Sequence, residues 1–257
     1  MPSTQVFPAS NRLLGALSPL DCEQLLANCE EIELIFAEVL YRPGEQISHV
    51  YFPTVSYISL MMPVNGGLGL EVKLIGSEGM LGSSLILGVD VAPFHAMVLG
   101  SGHALRMTVP AFLGELEQLP ALQLDLKRYL HVSMSQFAQM AACTRFHVVE
   151  ARLASWLLMV QDRAHSGHFH FTHELMAHML GVRRVGITKA ANSLLKQKFI
   201  GYRRGDVTIL DRIGLEAASC GCYRADKETY ERLLGSGEMM PLAPGYCYPN
   251  GNKCYTH

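Results

Sequence analysis

The 257-residue chain is 49% apolar and 17% charged, enough to bury a core and long enough for two domains. It opens MPSTQVFPASNRLLGALSPL, without a basic region leading into an apolar one, and no apolar run approaches the roughly 18 residues needed to cross a bilayer, so a cytoplasmic rather than a secreted or membrane protein is expected. The net charge of −2 conceals an asymmetry: residues 1–144 hold 6 Lys/Arg against 13 Asp/Glu, and residues 145–212 hold 11 against 5, which suggests a polyanionic partner for the second segment alone.

A leading helix is predicted from Asn11 to about Asn28, where Leu13, Leu14, Leu17, Leu25 and Leu26 give an apolar stripe interrupted at Ser18-Pro19. From about Ile32 to Val109 the pattern changes to short β-rich runs (ELIFAEVLY, HVYFP, YISLMM, LEVKLI, AMVLG, ALRMTV). They are separated by turn-forming groups such as Pro-Gly, Asn-Gly-Gly and Gly-Ser-Glu-Gly, which predicts a compact β-roll. Helical periodicity returns after Pro110 and lasts to about Ala142. Leu119, Leu126, Leu130, Phe137 and Met140 fall on one seam at alternating steps of three and four, with Gln123 and Ser133 as polar interruptions, so this helix is read as a homodimer seam. A further helix, roughly Phe146 to Arg163, carries Val149, Leu153, Trp156, Leu157 and Val160, and the alternation in HSGHFHF reads as one short strand.

The segment after that strand carries the strongest functional signal. Thr172 is a good N-cap for a short helix, His173 to Leu180, and Gly181 supplies the permissive backbone that ends it. Ala177 is small where a second helix must cross closely, and Ile187 plugs the interface from that helix. The spacing Ala-x3-Gly-x5-Ile is that of a helix-turn-helix. On the second helix, Ile187, Ala190, Ala191 and Leu194 point inward and leave Arg184, Val185, Thr188, Lys189 and Asn192 outside, where they can read base edges in a major groove. Thr172 and Arg183 are placed on phosphates. So are Arg203 and Arg204, at the basic tip of a hairpin in GYRRGDVTIL whose turn is expected at Gly205-Asp206. Gly186 is a local conflict, since glycine costs a helix interior roughly 1 kcal/mol against alanine.

The order of β-roll, long helix and winged helix-turn-helix, with VLYRPGEQISHVYFP in the roll and THELMAHMLGVRRVGITKAANSLLKQKFI beyond it, resembles the Crp/Fnr superfamily of bacterial transcription regulators over roughly residues 11 to 212. The resemblance implies an α+β fold. Its parts are a sensor roll (1–110), a dimerisation helix (111–144), a winged helix-turn-helix (145–212) and an extension (213–257) without a counterpart in the best-known members. It also implies double-stranded DNA and RNA polymerase as partners. Members that respond to cyclic AMP read bases with an Arg-Glu-x3-Arg set, for which this chain offers Arg184, Val185 and Lys189. Valine cannot accept from cytosine N4 as glutamate does, so the preferred half-site differs.

The family's cyclic-nucleotide pocket uses a Gly-Glu-Leu-Gly turn and an Arg-Ser pair. The matching residues here are Gly79, Met80, Leu81 and Gly82, followed by Phe94 and His95, which supply neither the carboxylate nor the guanidinium. The effector is therefore left unassigned, as is any cofactor.

Among other sensing chemistries, Cys22 and Cys29 stand two helical turns apart and match poorly the clustered N-terminal cysteines of Fnr-type iron–sulfur proteins. Cys220, Cys222, Cys247 and Cys254, with His257, could enclose a tetrahedral metal, but no C-x2-C pair supports it and reduced thiols are the default reading. No nucleophile with a base partner and no phosphate-cradling loop stands out, so an enzyme is not expected. The alternative to a DNA reader is a ligand-binding or protein-interaction module whose winged helix no longer reads bases.

Calorimetric titration of the protein with cyclic AMP and with cyclic GMP should show no binding at micromolar or tighter affinity, because a cyclic phosphate here lacks a charge-assisted bidentate partner.

Overall fold

The computed structural model describes residues 11–235 apart from Asn65 and Gly66. The predicted leading helix is two, α1 (Arg12–Gly15) and α2 (Pro19–Ala27), each started by its own cap. The Asn11 side chain accepts from the backbone N–H groups of Leu13 and Leu14, and Ser18 from that of Asp21, with Pro19 set at the first position of α2, where a missing N–H costs nothing. Asn11 is itself fully buried, and its amide donates to the carbonyls of Pro53 and Gly79, which ties α1 to the roll.

The roll has seven antiparallel strands: β1 (Glu30–Leu34), β2 (Val39–Tyr41), β3 (His49–Pro53), β4 (Tyr57–Val64), β5 (Gly67–Ile75), β6 (His95–Gly100) and β7 (Gly102–Thr108). They form two sheets, in the orders β1-β7-β3 and β2-β6-β4-β5. Between them lies a core that includes Leu34, Phe52, Ile58, Val98 and Met107, closed from one side by α1 and by Phe112.

The predicted helix after Pro110 is also two, α3 (Val109–Gln118) and α4 (Pro120–Phe146). The break falls at Leu119, whose φ of −115° and ψ of 84° lie outside the helical region, as expected for a residue that precedes proline. This break and the packing of α4 correct the predicted seam. Leu119 is 5% exposed and Leu126 0%; both belong to the roll's own core with Leu116, Leu122 and Tyr129, and so cannot also face a second chain. Leu130, Phe137 and Met140 are half-buried, with the Phe137 ring 5.6 Å from that of Phe94. The exposed side of α4 carries Leu124, Met134 and Phe146, with Ala121, Ala138, Ala141 and Ala142.

The C-terminal part runs α5 (Val149–Ala164), β8 (His168–His170), α6 (His173–Leu180), α7 (Arg184–Lys196), β9 (Ile200–Arg203) and β10 (Asp206–Ile209), with the strands in the order β8-β10-β9. The extension adds α8 (Arg212–Ala218) and α9 (Cys222–Leu234), and α9 lies along α4. Its Tyr230 hydroxyl donates to the Glu78 carbonyl at 2.7 Å, and Glu231 pairs with Arg12 at 2.9 Å.

A second core joins the two halves. Tyr57, Met61, Leu74, Met97 and Leu99 from the roll's larger sheet pack with Leu153, Trp156, Leu157, Phe171 and Met176 from the C-terminal part. Glu71 of β5 lies inside this contact, 1% exposed, accepting from Trp156 Nε1 at 2.7 Å and from Ser59 Oγ at 2.6 Å. Burial raises its pKa to about 7, against the opposing effect of those two hydrogen bonds. Among the described residues no helix is long and apolar enough to cross a membrane.

Leu126→Ala should cost about 2–5 kcal/mol of unfolding free energy in urea titration, the range for emptying a fully buried leucine site, and should leave the oligomeric state measured by light scattering unchanged.

Candidate nucleic-acid interface

The helix-turn-helix is assembled as its spacing predicts. Thr172 Oγ1 accepts from the Leu175 N–H at 3.1 Å and starts α6. Gly181 ends it at φ +62°, with the Val182 N–H returning to the Ala177 carbonyl at 3.0 Å. A side chain at Gly181 would also run into Leu70 of β5, since a Cβ there would lie 2.7 Å from Leu70 Cδ1. Ala177 and Ile187 are both buried between the helices, at 6% and 0% exposure. Arg152 of α5 braces the turn by donating to the Leu180 carbonyl at 2.6 Å.

Arg183 is the N-cap of α7 but makes no side-chain capping bond, so its guanidinium is not spent on the helix. Arg183, Arg184, Val185, Lys189 and Asn192 are all exposed, along one side of the first turns of α7. Among the described residues none of the three cations forms an ion pair, in contrast to Arg163 and Arg212, which are held by Glu78 and Asp162.

Thr188 differs from the expectation. It is half-buried, and its hydroxyl donates to the Arg184 carbonyl at 3.1 Å and lies 3.1 Å from His173 Nδ1. The His173 ring in turn stacks on Tyr202 of β9, with centroids 4.4 Å apart. Burial and the nearby Arg184 charge lower the His173 pKa below its ordinary 6.5, so the imidazole is neutral at pH 7. The sequence gives no sign of this link from α7 through His173 to the hairpin; there His173 reads as the first residue of α6. Gly186 meets open space where a Cβ would stand, so intramolecular packing does not require glycine there.

The hairpin turn is displaced by one residue from the prediction. Arg203 and Asp206 are paired across it, and the two central residues are Arg204 at φ +52° and Gly205 at φ +96°. Two positive φ values in a two-residue loop are the condition for a type I′ turn, which matches the twist of its strands. Arg203 and Arg204 are exposed at the tip, and Asp206 is held at 2.8 Å by His170 Nδ1 on β8.

The predicted sensor residues divide. Met80, Leu81, Gly82 and Phe94 line a cavity of about 210 Å³ between the roll and α4, together with Phe137 and Leu130. Gly79 instead packs on Tyr129, where a Cβ would lie 2.4 Å from the phenol oxygen. His95 is half-buried on β6, with Nδ1 enclosed and without a hydrogen-bond partner among the described residues. The residue that sequence reasoning missed is Lys73 of β5. It is 7% exposed, its ammonium sits 4.2 Å from the Tyr129 ring centroid, and it donates to Ser133 Oγ. A lone lysine in an apolar strand carries no periodic signal that would mark it.

Residues 151–218 match the family model described as the Crp-like helix-turn-helix domain. This stretch of the chain is thus a Crp-like helix-turn-helix domain. The fold is shared over most of the chain's length with solved structures. A protein of Eubacterium rectale assigned to the Crp/Fnr family is 15% identical over 81% of this chain and 98% of its own, with a TM-score of 0.64. FixK2 of Bradyrhizobium japonicum is 13% identical over 75% and 98%, with a TM-score of 0.63. CLP of Xanthomonas campestris, described as a global regulator responsive to c-di-GMP, is 15% identical over 75% and 99%, with a TM-score of 0.61. At such identities the likeness is one of fold. No curated protein matches the chain by sequence.

The roll buries a charge-bearing side chain, Lys73. Burial pulls the Lys73 pKa from the ordinary 10.5 down to about 7, with partial compensation from Glu78. Below pH 7 both folded and unfolded chains carry the charge. Between pH 7 and about 10.5 the unfolded chain keeps the proton that the folded one has released, so stability rises with pH through that window. Lys73→Met removes this contribution. The wild type should therefore gain stability relative to the variant by on the order of a few kcal/mol as denaturation is repeated from pH 7 to pH 10, with no relative change between pH 6 and 7.

Proposed function

We propose that the protein is a sequence-specific DNA-binding regulator of transcription that acts as a homodimer on a pseudo-palindromic site. Its roll takes an effector other than a cyclic nucleotide. The observation that carries the reading is the exposed basic set on one side of the winged helix. Arg183, Arg184 and Lys189 lie on the first turns of α7, and Arg203 and Arg204 lie at the hairpin tip, all free of ion pairs among the described residues. Cations left unpaired on a helix that can enter a groove, with a second group one hairpin away, fit phosphates on either side of base edges.

In this reading Arg184 bonds guanine O6 and N7, and Val185, 59% exposed, meets a thymine methyl. Lys189 and Asn192 reach further base edges. Arg183, Arg203, Arg204 and the Thr172 hydroxyl take phosphates. Thr188 serves chiefly to orient the helix through His173, which makes it a positioning residue. Pairing falls to the side of α4 that its own chain leaves open: Leu124, Met134 and Ala138, with Ala141 and Ala142 permitting close approach of a partner helix. Two α7 helices so paired would lie about one DNA turn apart, roughly 34 Å. RNA polymerase is the expected protein partner.

The cavity supports the effector reading by its composition: among the described residues Lys73 is the one charged residue that lines it, amid apolar side chains and hydroxyls, and no guanidinium does. Selection of random duplex DNA by the purified protein should enrich a two-fold-symmetric site with half-sites about ten base pairs apart. Arg184→Ala should then lose about 1–3 kcal/mol and relax preference at one position per half-site. Arg203→Ala should weaken all sequences alike and lower the salt slope by about 1. Equal losses on selected and random DNA for both variants would refute these roles.

A further inference from the structure

The turn between α8 and α9 meets the C-terminal end of α4, and four side chains with metal-binding atoms converge there. They are Cys143 on the last turns of α4, His147 at its C-cap, and Cys220 and Cys222 on either side of Gly221. We propose that Cys143, His147, Cys220 and Cys222 form a tetrahedral site for a divalent cation of the zinc class, which fastens α4 to the α8–α9 turn across the joint that carries the winged helix.

The first argument is distance. The four ligand atoms all lie within 4.8 Å of one another. Cys143 Sγ and Cys220 Sγ are 3.6 Å apart, and Cys222 Sγ and His147 Nδ1 are 3.4 Å apart. Metal–sulfur bonds of about 2.3 Å and metal–nitrogen bonds of about 2.0–2.1 Å at tetrahedral angles demand separations of about 3.7 Å between sulfurs and about 3.5 Å between sulfur and nitrogen. A disulfide would need its two sulfurs at about 2.05 Å and would leave the other two groups without a role. A polynuclear iron–sulfur cluster spreads its cysteines over several irons and needs a wider cage than this one.

The second argument is chemistry. Three thiols and an imidazole, with no carboxylate, select zinc over calcium or magnesium, and Cys3His is a common closed structural set. Cys143, Cys220 and Cys222 are buried, at 6–7% exposure, and form a small cluster of their own with Ala151. Two neighbours are placed to support the sulfurs. Gln139 Nε2 donates to Cys222 Sγ at 2.9 Å, and Ser155 Oγ lies 3.1 Å from Cys220 Sγ. Donors of this kind stabilise thiolate and orient it toward a metal. Three thiolates and a divalent ion leave one net negative charge, and the Arg152 guanidinium lines the same small cavity as Cys143 and Cys222.

The third argument is position. Cys143 and His147 are four residues apart, hence on one face of α4, and His147 donates its backbone N–H to the Cys143 carbonyl at 3.1 Å. The connection from α4 to α5 is only His147 and Val148. The other two ligands come from beyond the winged helix, so a bound ion spans the connection that sets the direction of the whole C-terminal part. The sequence suggested Cys220 and Cys222 with Cys247 and Cys254. The latter two lie outside the described residues, and the structure supplies Cys143 and His147 in their place.

The site is tested on the full chain, purified under reductant, stripped with chelator and titrated with Co²⁺. We expect one ion per chain, with a thiolate-to-cobalt charge-transfer band and the strong d–d absorption of tetrahedral coordination, both abolished by one equivalent of Zn²⁺. Cys143→Ala, Cys222→Ser and His147→Ala should each weaken Co²⁺ binding at least about 100-fold, and Gln139→Leu about 10-fold. The pairs Cys247→Ser with Cys254→Ser, and Cys22→Ser with Cys29→Ser, should bind as the wild type does. His147→Cys should keep the stoichiometry and intensify the charge-transfer band, a readout that holds even if the alanine variants fail to fold. Octahedral spectra, a stoichiometry near zero, loss of the ion in the Cys247/Cys254 pair, or a Cys143–Cys220 disulfide in protein thiol-blocked at lysis would each overturn the proposal. None of these readouts depends on whether the winged helix binds DNA.

Discussion

The contact between the roll's larger sheet and the C-terminal helices governs how every functional surface is presented. Five apolar side chains of the sheet enter the core of the helix-turn-helix half, and Glu71 crosses the same boundary to accept from Trp156. A carboxyl buried in this way is tolerable because both oxygens are hydrogen-bonded, and a buried acceptor without such partners would cost more than the bond itself yields. The contact also presses Leu70 against the turn glycine, so the helix-turn-helix is held at its turn while the outer side of α7 remains clear. One arrangement thus fixes where the helix-turn-helix sits and leaves its outer side open.

The long helix α4 is the other shared resource, and its circumference is divided among three uses. One side closes the roll through Leu122, Leu126 and Tyr129; a second receives α9; the third carries Leu124, Met134 and the alanines. The roll cavity lies along the first side, with Lys73 reaching across it to Ser133 and Tyr129, so whatever enters the cavity touches the helix directly. The cavity wall and the helix therefore share side chains. Only His147 and Val148 separate α4 from α5, the first helix of the C-terminal part.

Much of this was legible in the sequence where the signal is local. The strand runs, the Thr172 cap, the Gly181 turn and the Ile187 plug are each decided by neighbours within a few residues, and the structure places them as spacing predicted. Two errors have the same origin. A heptad-like seam cannot distinguish burial against another chain from burial against the chain's own roll, so Leu119 and Leu126 were assigned outward. The same regular spacing runs through Pro120 and hides the break before it. The hairpin turn lies one residue before Gly205-Asp206 because Arg204, a non-glycine residue, takes the left-handed conformation. What sequence could not show at all were the convergences of distant residues: Lys73 with Ser133, 60 positions apart, and Cys143 with Cys220, 77 positions apart. No spacing rule reaches across such intervals.

Helix α9 brings the last described turn of the chain back to the first. Arg12 and Glu231, 219 positions apart, are in contact, and Tyr230 caps the carbonyl of Glu78 beside them. The described polypeptide is thus closed into a circuit at this seam. Helix α9 touches the described chain on both sides of the roll, at α4 and at Arg12, so the extension is anchored to the start of the described chain as well as to the helix that follows the roll.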